Sequence, residues 1–71
     1  MANQAFAQRL KLARQERGMT QRLLSQRSGV PQSTICHYEM GDMEPGIENL
    51  IAMLKILDCT ADWLLGLKEA A

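Results

Sequence analysis

Aromatic residues are nearly missing from this chain of 71 residues. One Phe, one Tyr and one Trp make up 4 %, although 46 % of the chain is hydrophobic. A core built from Leu, Ile, Met and Ala favours helices over sheets, and that much apolar content excludes disorder. Cysteine is sparse too. Cys36 and Cys59 stand apart without Cys-x-x-Cys spacing, which argues against a disulfide framework and for reduced thiols in the cytoplasm. No basic-then-apolar leader opens the chain, and no apolar run could span a bilayer. With one histidine, no Gly-rich phosphate loop and no metal-ligand cluster, an enzyme is the least expected reading. No cofactor, metal, membrane or small-molecule ligand is implied.

Net charge is absent as well, at a formal zero. Its distribution is uneven. Residues 1 to 27 carry Arg9, Lys11, Arg14, Arg17, Arg22 and Arg27 against Glu16, an excess of five positive charges. Residues 28 to 71 carry Lys55 and Lys68 against Glu39, Asp42, Glu44, Glu48, Asp58, Asp62 and Glu69, an excess of five negative ones. A polyanion can meet the basic end while the acidic end faces elsewhere. For any single basic residue, solvated surface is the default.

The length suits one domain over residues 1–71 with its core in 4–67, near the lower limit for a self-sufficient core. Caps and breakers mark five helices. The first follows Asn3 and runs to about Arg17, with Phe6, Leu10, Ala13 and Arg17 at helical spacing and Gly18 as its stop. Thr20 caps a second helix, residues 21–28, on which Leu24 and Leu23 are apolar and the small Ser25 and Ser28 permit close approach of a neighbour. Gly29-Val30-Pro31 breaks the chain, and Pro31 enters the first turn of a third helix that buries Ile35 and Tyr38 and stops at Gly41. A fourth helix, 47–57, carries Ile47, Leu50, Ile51, Met53, Leu54 and Leu57, a stripe too wide for one contact. Thr60 caps a last turn or two, 61–65, ended by Gly66. The expected fold is an all-α bundle.

The stretch "GVPQSTICHYEMG", residues 29–41, is unusual in having a broad polar, uncharged face. Glutamine, serine, threonine and histidine exchange hydrogen bonds in both directions, as base edges in a major groove require. Two helices joined by a tight glycine-containing turn form a helix-turn-helix unit. The run "LARQERGMTQRLLSQRSGVPQSTICHYEMGDMEP", continuing through "IENLIAMLKILDCTADWLLGL", resembles the Cro/C1-type helix-turn-helix family of phage and bacterial repressors. The resemblance covers roughly residues 6 to 67 and rests on Arg14, Thr20-Gln21, Leu24, Gly29-Val30, Ile35, Glu39, Gly41 and Pro45. It implies a five-helix lambda-repressor-like fold with the helix-turn-helix at helices two and three. It also implies a repressor reading double-stranded DNA in a bacterial host cell, at the nucleoid. A protein-interaction module of the same fold, antirepressor or antitoxin-like and using the acidic half, is the competing reading.

Carried over residue by residue, the resemblance places base readers at Gln32, Ser33, Cys36 and His37. Backbone contacts fall to Gln21, Arg22 and Thr34, and an ion pair joins Arg14 to Glu39. Gln21 heads helix two, where free amides and the helix dipole favour a phosphate. A metal site of Cys36, His37 and Cys59 is disfavoured, because adjacent helical residues point about 100° apart. Three features depart from the family: Pro31 replaces a capping Ser or Thr, Asp42 and Glu44 replace a basic loop whose acids would repel the DNA backbone if they lay close to it, and Met40 replaces a polar residue. Operators of the family are pseudo-palindromes read by dimers, and Ile51, Ile56, Trp63 and Leu67 exceed what one small core absorbs. These four are the expected dimer contacts.

Overall fold

The structure, a computed structural model, describes residues 4–69; the expected cap at Asn3 lies outside them. The described residues form five helices and no strand: α1 Gln4–Glu16, α2 Gln21–Ser28, α3 Gln32–Met40, α4 Ile47–Leu57 and α5 Ala61–Leu64. Their bounds follow local chemistry. Thr20, in extended backbone, accepts from the Leu23 amide through its hydroxyl, and Thr60 does the same for Trp63. Each satisfies one of the amides that a helix start leaves without an acceptor. Thr20→Ala is expected to cost ~1 kcal/mol, seen as a melting temperature lower by roughly 4–8 °C for a domain of this size. An unchanged melting curve would show that solvent replaces the cap.

The core gathers one or more side chains from every helix. Phe6 and Leu10 of α1, Leu24 of α2, Ile35 and Tyr38 of α3, Met53 and Leu57 of α4 and Leu64 of α5 are all buried together. Phe6 and Tyr38 meet edge to face, with ring centroids 5.6 Å apart and planes inclined at 68°. The Tyr38 hydroxyl accepts from Asn49 Nδ2 at 3.0 Å, tying α3 to α4. Arg9 closes the far end. Its Nη1 donates to the carbonyls of Trp63 and Lys68, each at 2.6 Å, and its guanidinium lies 5.3 Å from the centre of the Trp63 ring.

Several expectations are corrected by this packing. Arg17 lies past the end of α1 and is exposed, while Arg14 is the buried arginine. Ser25 and Ser28 have a second use besides leaving room for a neighbour, Ser28 lining a groove with Ile51, Ala52 and Ile56 of α4. The Ser25 hydroxyl donates to the Val30 carbonyl at 2.6 Å, and the Ser28 hydroxyl accepts from the Val30 amide at 3.2 Å. Both bonds hold the α2–α3 turn, where Gly29 sits at φ +81°, a conformation that glycine enters without strain. Pro31 is the residue before α3, not part of its first turn. The final helix stops at Leu64, one residue early. Of the expected apolar excess, Ile56 and Trp63 pack partly buried against the core, whereas Ile51 and Leu67 are exposed.

Candidate nucleic-acid interface

One side of α3 is committed to the interior through Ile35 and Tyr38. On the other side Gln32, Ser33 and His37 are exposed, and Thr34 and Cys36 are half-buried at the flanks. Four residues separate Ser33 from His37, and three separate Ser33 from Cys36, so these side chains lie along one stripe. The start of α3 has no side-chain cap, since Pro31 cannot supply one. Gly41, at φ +81°, ends the helix and packs close to Gln4. A Cβ there would come within 2.8 Å of the Gln4 amide.

What holds α3 in place is a buried arginine. Arg14 Nε donates to Glu39 Oε2 at 2.7 Å and Nη2 to Oε1 at 2.9 Å, a two-point pair, while Nη1 donates to the Met19 carbonyl at 2.8 Å. The two side chains are only 11 % and 5 % exposed. Glu39's hydrogen bond lifts the Arg14 guanidinium above its already high ordinary value, against the opposing effect of burial. Gln21 joins this network, donating from Nε2 to Glu39 Oε1 at 3.2 Å. An amide nitrogen has two hydrogens, so one remains available outward. The α2 cap leaves the Gln21 and Arg22 amides at the helix start without an intrahelical acceptor. Arg22 is exposed, and among the described residues it pairs with no carboxylate.

His37 is not free in the way the sequence suggested. Its Nδ1 lies 3.1 Å from Asp42 Oδ1 and 3.3 Å from Oδ2, both residues being about half exposed. With the carboxylate ionised, this contact requires a hydrogen on Nδ1. In the neutral ring Nε2 is then an acceptor. No short-range signal in the sequence showed Asp42 reaching back past Gly41 to the helix. Cys36 Sγ lies 3.7 Å from Met40 Sδ, another pairing that was not foreseen. Cys59 is elsewhere, between Arg17 and Asp58, and burial pushes its thiol up. Among the described residues no three His, Cys, Asp or Glu side chains are grouped to hold a metal. No described helix is long and apolar enough to cross a membrane. An open groove of about 630 Å³ beside Leu12, Arg17, Cys59 and Trp63 includes none of the α3 residues.

The helix-turn-helix family profile matches residues 10–64, from the middle of α1 to the end of α5. The chain belongs to the helix-turn-helix family. Its α2 and α3 are the unit that gives the family its description. Similar proteins include y4dL of Sinorhizobium fredii, an uncharacterized HTH-type transcriptional regulator, 47 % identical over 53 residues, 75 % of this chain and 27 % of that one. Repressor protein C2 of Salmonella phage P22 is 34 % identical over 65 residues, 92 % of this chain and 30 % of its own. The HTH-type transcriptional regulator DicA of Escherichia coli is 32 % identical over 63 residues, 89 % of this chain and 47 % of its own. The chain thus spans between 27 % and 47 % of the length of these curated relatives. Among solved structures, the restriction-modification controller protein C.AhdI of Aeromonas hydrophila superposes with a TM-score of 0.80. It is 28 % identical, covering 86 % of this chain and 92 % of that one. The expected resemblance to phage and bacterial repressors and the all-α fold are both upheld.

Proposed function

We propose that this helix-turn-helix chain is a sequence-specific reader of double-stranded DNA acting as a transcriptional repressor. The supporting observation is the division of α3, with Ile35 and Tyr38 anchored inside, Gln32, Ser33 and His37 turned to solvent and Cys36 half-buried beside them. A helix so divided enters a major groove with its polar stripe against base edges. Gln21 and Thr34 contact the sugar–phosphate backbone beside it, and Arg22 adds charge. The folded molecule leaves fewer basic residues for this than the sequence has. Arg14 is held by Glu39 and Arg9 by the α5 end, so Arg22 and Arg27 carry most of the attraction on α2.

Two copies on a pseudo-palindrome complete the reading. α4 offers the surface: Ile47 is 70 % exposed and Ile51 46 %, flanked by Glu48 and Lys55. An antiparallel pairing of two α4 helices, with its two-fold axis between Ile51 and Ala52, brings Glu48 opposite Lys55 of the second copy and Ile47 opposite Ile56. Such a patch is complementary to itself, which an isologous interface requires. Ile51→Glu would bury a carboxylate there twice over. Sedimentation equilibrium is expected to show dimer association at least about tenfold weaker. An unchanged dimer would move the interface to Leu67.

Footprinting on the DNA flanking the gene tests the whole reading. Two protected half-sites about 34 Å apart, with affinity falling steeply as salt rises, are expected. Absence of any protected sequence, with binding to another protein that depends on Glu44 or Trp63 instead, would replace it with the interaction-module reading.

A further inference from the structure

Asp42 carries its charge where the helix before it does not favour one. It follows the C-terminal end of α3, the negative end of the helix dipole. Its position is nevertheless definite, because the backbone sets it. The Gly41 amide donates to the Tyr38 carbonyl at 3.2 Å and the Asp42 amide to the His37 carbonyl at 3.3 Å. This is a Schellman turn, which glycine at φ +81° permits. One residue, His37, thus meets Asp42 twice: its carbonyl takes the Asp42 amide, and its Nδ1 lies 3.1 Å and 3.3 Å from the two carboxylate oxygens. The turn has already ordered the Asp42 backbone, so only side-chain rotations remain to be fixed by the contact.

We propose that Asp42 is a positioning residue for base recognition: it holds the ring hydrogen of His37 on Nδ1, so that His37 reads a base as an acceptor. An ionised carboxylate has no hydrogen to give, so Nδ1 must donate. In the neutral ring this leaves the lone pair on Nε2, and no residue among those described engages that nitrogen. The matching groups in a major groove are the exocyclic amines, N6 of adenine and N4 of cytosine. The hydrogen-bonding atoms of guanine and thymine there are acceptors. An exposed pair of this kind adds little to stability. A tautomer needs little, since a tenfold bias takes about 1.4 kcal/mol. The base preference rests on the proposed reading of DNA by α3, whereas the tautomer is a property of the free protein.

His37 is the one histidine of the chain, so nitrogen-15 spectra of the labelled full chain report a single imidazole. At about pH 8.5, above the ordinary imidazole range, wild type and E44A are expected to carry the hydrogen mainly on Nδ1. D42A should return it mainly to Nε2, the usual preference of an imidazole in water, with a melting curve close to wild type. A wild-type ring with its hydrogen mainly on Nε2, or a D42A ring unchanged from wild type, would overturn the proposal. Titrations at the same pH, on operators varied one base pair at a time, then test the base. Wild type should favour adenine or cytosine at the His37 position. D42A also removes a negative charge, so the quantity read is the affinity ratio between bases, with E44A as the control for charge alone. D42A should lower that ratio by roughly 3- to 10-fold, and E44A should leave it unchanged. In an H37A background, D42A should change the ratio no further. An equal loss in E44A, or a loss from D42A without His37, would refute the base-reading role. A chain that binds no operator would refute the reading of α3, and the base preference with it, while the tautomer measured in the free protein would stand.

Discussion

Replacing Glu39 with alanine is expected to destabilise the fold by ~3 kcal/mol or more, because Arg14 would be left buried without its counter-charge. The guanidinium cannot escape by losing its proton, since its ordinary value is already very high. Nor can it easily turn to water: its Nη1 is held by the Met19 carbonyl, and the residue is 9 % exposed. The same change removes the acceptor for Gln21. In a domain of this size the melting temperature should fall by roughly 12–24 °C, measured by circular dichroism. The double variant Arg14→Met with Glu39→Leu should recover most of the loss, because an apolar pair of similar volume is often neutral. A Glu39→Ala melting curve superimposed on wild type would mean that water reaches Arg14 and that the pair contributes orientation only.

Replacing Gln32 with alanine acts on a different quantity. Gln32 is the first residue of α3 and is exposed, so stability should hardly change. Its amide can bond adenine at two points, a contact worth ~1–3 kcal/mol of discrimination. Affinity for the operator should fall by roughly 5- to 150-fold, with the loss confined to one base position per half-site. The salt dependence should be unaltered. Arg22→Ala provides the contrast: weaker binding on every sequence and a salt slope lower by about one. Should Gln32→Ala lose affinity uniformly across operator variants, the residue would be a backbone contact and base reading would pass to Ser33 and His37.

The helices were legible because their ends are written in short-range chemistry. Thr20 and Thr60 cap, Gly29 and Gly41 stop, and the bounds of α2 and α4 coincide with those expected from the chain. The stripe on α3 was legible for the same reason, as helical spacing separates Ile35 and Tyr38 from their polar neighbours. The contacts that shape this stripe were not. Asp42 reaches His37 only because Gly41 turns the chain back, and Cys36 meets Met40 through side-chain conformations that spacing permits but does not require. Sequence periodicity likewise put Arg17 on the inner face. It registers hydrophobicity, and a charged residue with a buried partner looks like a surface one.

From its sequence alone, then, this protein was bound to be a small helical bundle with a polar helix behind a glycine turn. Caps, breakers and spacing act over four residues or fewer, and the chain cannot avoid them. Tertiary structure decided which charges were withdrawn from the surface; the family resemblance named the Arg14–Glu39 pair, but neither spacing nor hydropathy did, and nothing pointed to Arg9. Arg14 and Glu39 are 25 residues apart and Arg9 and Trp63 are 54 apart. Pairs at such separations form only when packing brings distant helices together, and whether a charge stays solvated depends on that packing.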